Sequence, residues 1–176
     1  MRFLASCLSI LFVSCLELGA EPNHAPRFEF TEVHMGMPVR IVLHAADAWS
    51  ARAAARAAFD RIADLENDLS DYRTDSELAR IQKNAGRWVT VKPTTYAVIS
   101  RALEIARLSE GAFDPTVGPV VALWRTARRT RQLPTDHAIA SAKALVSCTL
   151  VELDSITSAV RLAKPGMTLD LGGIAK

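Results

Sequence analysis

A chain of 176 residues, 49% of them hydrophobic, suits one domain with a core of its own. Its 21 basic and 19 acidic side chains leave a net charge of only +2, so the global balance offers nothing to attract nucleic acid. Three cysteines, of which Cys7 and Cys15 fall in the leader and only Cys148 in the body, exclude a disulfide framework.

In chain order, the first segment is a targeting signal. Arg2 supplies the positive region, Leu4 to Val13 the apolar region, and Leu18, Gly19 and Ala20 a small-residue cleavage site before Glu21, so residues 1–20 are expected to leave the mature protein. A second reading stays open: Cys15, preceded by Phe12, Val13 and Ser14, is an acylated lipoprotein cysteine. Both export the domain. Residues 21–27 are a polar linker containing Pro26, and the fold is expected over 28–176.

Phe28, Phe30 and Val33 alternate as a strand, and Val39, Ile41 and Leu43 as another, with Met35, Gly36, Met37 and Pro38 forming the turn between them. A helix follows, opened by Asp47 and carrying Ala51, Ala55, Ala58, Phe59, Ile62, Leu65 and Leu69 on one face. Ser70, Asp71, Tyr72 and Arg73 break it. Thr74 with Glu77 predicts a capping box for a short helix to about Lys83. Gly86 ends that helix, and Trp88, Val89 and Val91 suggest a brief strand. Thr94 and Thr95 then cap a helix with Val98, Ala102, Ile105 and Ala106 at helical spacing.

Gly111 stops this helix and opens the run Gly111 to Pro119. Pro115 biases Asp114 away from the α region, and Gly118 with Pro119 breaks the chain again. Two readings compete here: a turn in which Asp114 bonds its own backbone, or a binding loop that displays a carboxylate. The cluster Arg125, Arg128, Arg129 and Arg131 is expected as a solvated connection between helices rather than a phosphate site. Beyond Pro134, Thr135 or Asp136 caps a helix bearing Ile139, Ala142, Leu145 and Val146, and Cys148 is a small packed residue. Leu150–Leu153, Val160–Leu162 and Met167–Leu171 follow as strands, the last two joined by a Lys164-Pro165-Gly166 turn. Helices and strands mix without a βαβ repeat, which makes the fold class α+β. Gly172 and Gly173 leave the last strand with Lys176 close behind, either as a turn or as backbone N–H groups and a cation facing an anion.

Met35-Gly36, the run Leu69 to Arg73 with Ser76, Gly111 to Pro119 and Asp170 to Lys176 stand in an order and spacing that resembles the ApbE family of FAD:protein FMN transferases. The resemblance implies an ApbE-like, T-fold-like α+β domain. It places Met35 and Tyr72 against the flavin, gives Ala112, Phe113, Asp114, Asp170 and Lys176 to FAD binding, and gives the Gly173 backbone carbonyl to Mg²⁺. The implied reaction moves FMN from FAD to a Thr or Ser hydroxyl of an acceptor protein and releases AMP, with Mg²⁺, Lys176 and the glycine-loop amides neutralising the pyrophosphate. The implied acceptors are flavoprotein subunits of membrane electron-transfer complexes, and the implied location is the bacterial periplasm, with a possible lipid anchor. Two departures stand out. Met37 replaces a small hydroxyl residue, and the sequence stops at Lys176, where the family continues as a helix toward an Asp and Thr pair for the metal and a His-containing catalytic segment. The sequence is thus expected to be the N-terminal part of such a protein. Two other functions fit the same residues: an FAD pyrophosphatase yielding FMN and AMP, or a non-catalytic exported FAD-binding fragment.

Overall fold

A computed structural model describes residues 25–174, so the leader, Cys15 and most of the linker lie outside the described residues, as do Ala175 and Lys176. The chain is α+β. It begins with a hairpin of β1 (Arg27–His34) and β2 (Met37–His44), antiparallel with His34 opposite Met37, so the loop between them is only Met35 and Gly36. Both residues have positive φ, 51° and 70°, as a two-residue loop matched to strand twist requires. Phe28, Phe30, Val39, Ile41 and Leu43 share the half-buried face. Val33 falls on the opposite face and is 75% exposed, because side chains alternate with period two and Val33 is out of phase with Phe28 and Phe30.

Helix α1 (Ala48–Leu69) covers that hairpin. Asp47 caps it by accepting from Ser50 N at 2.7 Å, and Ala51, Ala55 and Phe59 are buried along it. The small alanines let strand and helix approach, and the Phe59 ring stacks on His34 with centroids 5.5 Å apart.

Helix α2 (Glu77–Lys83) is capped by Ser76, not by the expected Thr74. Ser76 Oγ accepts from Ala79 N at 3.0 Å and donates to Ser70 O at 2.7 Å, which ties the loop after α1 to the start of α2. Glu77 makes no capping box. Its carboxylate accepts instead from Thr95 Oγ1 at 2.6 Å and from Lys92 N at 3.1 Å. Thr95 is consequently buried rather than capping α3 (Pro93–Leu108), whose first turn is opened by Pro93 after Lys92. The buried stripe of α3 is Thr95, Ile99, Ala102, Leu103 and Ala106, turned slightly from the expected Val98 and Ile105. Its C-terminus is a Schellman motif, with Gly111 N donating to Ala106 O and Glu110 N to Arg107 O. Glu110 takes the left-handed position at φ 51° that glycine usually fills.

Gly118 and Pro119 do not break the chain. After a 3-10 turn over Pro115–Val117 they open α4 (Gly118–Thr130), with Pro in its first turn. The basic cluster is therefore helical: Arg125, Arg128 and Arg129 lie on α4, and Arg131 ends it at φ 57°. Cations in a last turn suit the helix dipole. Helix α5 (Asp136–Lys143) is capped by Thr135, one of the two expected candidates, and ends before Leu145 and Val146.

Three strands complete the fold: β3 (Val89–Thr90), β4 (Val151–Asp154) and β5 (Ala159–Leu162), antiparallel in the order β3-β5-β4. Met167–Leu171 is not a strand. Met167, Leu169 and Leu171 are buried at alternate positions, which explains the strand-like pattern, but the backbone bonds elsewhere: Asp170 N donates to Pro115 O at 2.8 Å and Leu169 O accepts from Gln82 Nε2 at 3.2 Å. These three side chains join Leu78, Ile81, Ile99, Leu103, Val160 and Leu162 in one core between sheet, α2 and α3. Each large aliphatic chain sealed there contributes about 1.5–3 kcal/mol. Among the described residues no helix is long and apolar enough to cross a membrane.

Candidate functional site

Three loops converge on one cavity of about 610 Å³. The hairpin tip supplies Met35 and Gly36, the end of α1 and its loop supply Glu66 to Arg73 apart from Asp68, α4 supplies Arg125, and Asp170, Leu171 and Gly172 close the far side. Each contribution has a local cause. The left-handed turn projects Met35 at the tip. Ser70 Oγ accepts from the backbone N–H groups of both Tyr72 and Arg73 at 3.3 Å, turning the chain so that Tyr72 stands 78% exposed. Asp170 Oδ1 accepts from Gly172 N at 2.9 Å and so shapes the glycine turn.

Arg125 spans the walls. One guanidinium nitrogen lies 2.7 Å from Asp71 Oδ2 and the other 3.6 Å from Asp170 Oδ2, while its carbon sits 4.6 Å from the centre of the Tyr72 ring. Partial burial works against the charge of Arg125, but the hydrogen bond and charge of Asp71, reinforced by Tyr72 and Asp170, outweigh it and raise its pKa above the ordinary value. The lining carries Glu66, Asp71 and Asp170 against Arg73 and Arg125. Arg73 is already paired with Asp75 at 2.9 Å, so among the described residues the lining carries more negative than free positive charge.

The residues singled out from the sequence separate into groups. Met35, Tyr72 and Asp170 line the cavity together. Phe113 and Gly173 meet beside it: a Cβ on Gly173 would stand 3.1 Å from Phe113 Cε2. Ala112 and Asp114 are not in the lining. Asp114 Oδ1 accepts from Thr116 N and Oγ1 at 2.8 and 2.6 Å, and Oδ2 from Cys148 N at 3.0 Å, so this carboxylate ties its own loop to the segment before β4. Lys176 lies outside the described residues. Among the described residues no three His, Cys, Asp or Glu side chains gather into a metal-binding group, so any Mg²⁺ held here would rest on fewer side chains and on oxygens of backbone, water and ligand.

Sequence reasoning missed Arg125 and Asp71. The expectation of a single solvated connection overlooks that Pro119 in a first helical turn is itself a start signal. That signal places Arg125 on a helix and separates it from the closing residue Arg131.

The ApbE family model matches residues 35–176. Among curated proteins, the FAD:protein FMN transferase of Klebsiella pneumoniae (strain 342) is 34% identical over 150 residues, covering 85% of this chain and 46% of that relative. One of the same description from Treponema pallidum (strain Nichols) is 37% identical over 130 residues, covering 70% of this chain and 36% of the relative. Among solved structures, the ApbE protein of Thermotoga maritima superposes with a TM-score of 0.76 at 30% identity, over 85% of this chain and 48% of that one. The flavin transferase ApbE of Vibrio cholerae gives 0.73 at 25% identity, over 86% and 50%. The chain thus spans about half the length of such relatives. With the family model matched over most of its length and the α+β fold shared with these structures, the chain belongs to the ApbE family.

Proposed function

We propose that the protein carrying these residues is an exported FAD:protein FMN transferase, which moves FMN from FAD to a Thr or Ser hydroxyl of an acceptor protein and releases AMP. The observation that carries this reading is the cavity itself, where Met35, Tyr72 and Asp170 meet from three distant segments. The names of the relatives support FMN transfer from FAD to a protein; the hydroxyl acceptor and the release of AMP belong to the proposal. The aromatic face of Tyr72 and the polarizable thioether of Met35 suit a flat, apolar ring system. Phe113, packed on Gly173, backs the glycine turn, where backbone N–H groups suit phosphate oxygens. Asp114 serves this arrangement by fixing the loop that carries Phe113, and Lys176 is the cation assigned to the same ligand.

Mg²⁺ belongs to the reading as the counter-charge for the pyrophosphate, with the Gly173 carbonyl as a hard oxygen donor. The described residues do not complete its donor set, so no step is assigned to it. The acceptors in this reading are flavoprotein subunits of membrane electron-transfer complexes, reached from the periplasmic side, where the leader sends the domain.

The test uses the protein as it occurs in its cells, incubated with FAD, Mg²⁺ and a candidate acceptor subunit, then denatured and resolved on a gel. Flavin fluorescence on the acceptor band together with released AMP is the expected result. Free FMN and AMP without a labelled acceptor replaces transfer with FAD hydrolysis, and bound FAD with no AMP leaves a flavin-binding protein.

A further inference from the structure

The geometry points to Arg125 as a positioning residue that bolts the Tyr72 loop to the Asp170 turn, setting the aromatic ring that a planar ligand meets in the cavity. What a bound flavin would feel rests on the function proposed above; the bolt itself does not. Tyr72 is 78% exposed and its backbone is held by Ser70, which leaves its ring to be oriented by something else. Arg125 is that partner, with its guanidinium over the ring at 4.6 Å. The same guanidinium reaches Asp71 at 2.7 Å and Asp170 at 3.6 Å.

One planar group therefore joins three segments: the loop after α1, helix α4 and the glycine turn. Arginine can do this because its flat fork bonds carboxylates at the edge while its face stacks on an aromatic ring; a lysine ammonium is a point charge and cannot do both. The two carboxylates are the less accessible partners, with side-chain exposures of 21% for Asp71 and 20% for Asp170, against 43% for Arg125. Without the cation, two shielded negative charges face one cavity with nothing between them. Asp170 makes the coupling closer, because its other oxygen holds Gly172 N at 2.9 Å. The carboxylate that takes the bolt is also the one that shapes the turn.

The experiment compares the whole protein with its Arg125→Gln, Arg125→Lys and Asp71→Asn variants and with the Tyr72→Ala and Arg125→Gln/Tyr72→Ala pair. The first readout needs no flavin: the rate of tryptic cleavage after Arg73, followed by mass spectrometry. We expect it to rise about tenfold in Arg125→Gln and Asp71→Asn as the loop is released, with Arg125→Lys in between. The second is FAD titration by flavin fluorescence. Arg125→Gln should weaken binding about tenfold, and its effect should be smaller in the Tyr72→Ala background than in the wild type, because part of what Arg125 does passes through that ring. Additive losses, or unchanged cleavage after Arg73, overturn the proposal. Should Arg125→Gln fail to fold, Arg125→Lys and Asp71→Asn decide by the same criteria. A wild-type protein that binds no FAD removes the flavin reading alone, and the proteolysis still decides on the bolt.

Discussion

Asp114 shows how two readings of one residue separate. Its position between Phe113 and Pro115 permitted either a turn or a displayed ligand, and all its observed partners are internal: Thr116 N, Thr116 Oγ1 and Cys148 N. A carboxylate that satisfies backbone donors from two segments stabilises more than a neutral acceptor does. Asp114→Ala is therefore expected to lower unfolding free energy by about 1–3 kcal/mol in urea titrations without any flavin, with Asp114→Asn losing less. Unchanged stability would return Asp114 to the ligand alone. Local chemistry of this kind was legible in the sequence for Asp47 and Thr135, which cap the helices they precede. It was not legible for Thr95 and Glu77, because their partnership runs between α2 and α3 and no local spacing encodes it. Tertiary packing moved the cap of α2 from Thr74 to Ser76, whose hydroxyl also reaches Ser70.

At the scale of elements, α1 carries a cap with a pH signature. The carboxyl of Asp47 lies below its ordinary value, chiefly because the backbone N–H of Ser50 bonds its charged form. A depressed folded-state pKa means that the cap contributes fully above the ordinary value of 3.8 and fades as pH falls through the lowered one. Asp47→Ala should thus melt below wild type at neutral pH, with the gap closing under acid conditions. A gap that persists there would assign the loss to something other than the charge. Helix α4 depends instead on close approach. A Cβ on Gly118 would collide with Thr168 Oγ1 and stand 2.8 Å from Thr168 O. Gly118→Ala must push α4 away from the segment before Asp170, with an expected loss of about 1–3 kcal/mol in thermal or urea unfolding. Because Arg125 rides on the same helix, the proposed FAD binding should weaken with it. The sequence carried Gly118-Pro119 as a double breaker, and the space available beside Thr168 is what gives the glycine its purpose.

Across the whole molecule, the α+β class and most elements were legible because their periodicities are local, as in the hairpin, α1 and α5. Met167–Leu171 reads as a strand but forms none, because alternate burial does not reveal whether a neighbouring strand offers a ladder. The cavity was legible only in part. Met35, Tyr72 and Asp170 are separated by long stretches of chain, and Arg125 joined them only once α4 was in place. The hairpin that carries Met35 packs on α1 and contributes no residue to the central cluster of Leu78, Ile99, Val160 and their neighbours. Its amides should therefore exchange with deuterium through openings that leave β4, β5 and α3 protected; equal protection throughout would mean a single cooperative unit. Such an opening withdraws one wall of the cavity while the others stay in place. A ligand that touches Met35 and Gly36 should in turn brace the hairpin, so slower exchange of its amides would report that the cavity is occupied.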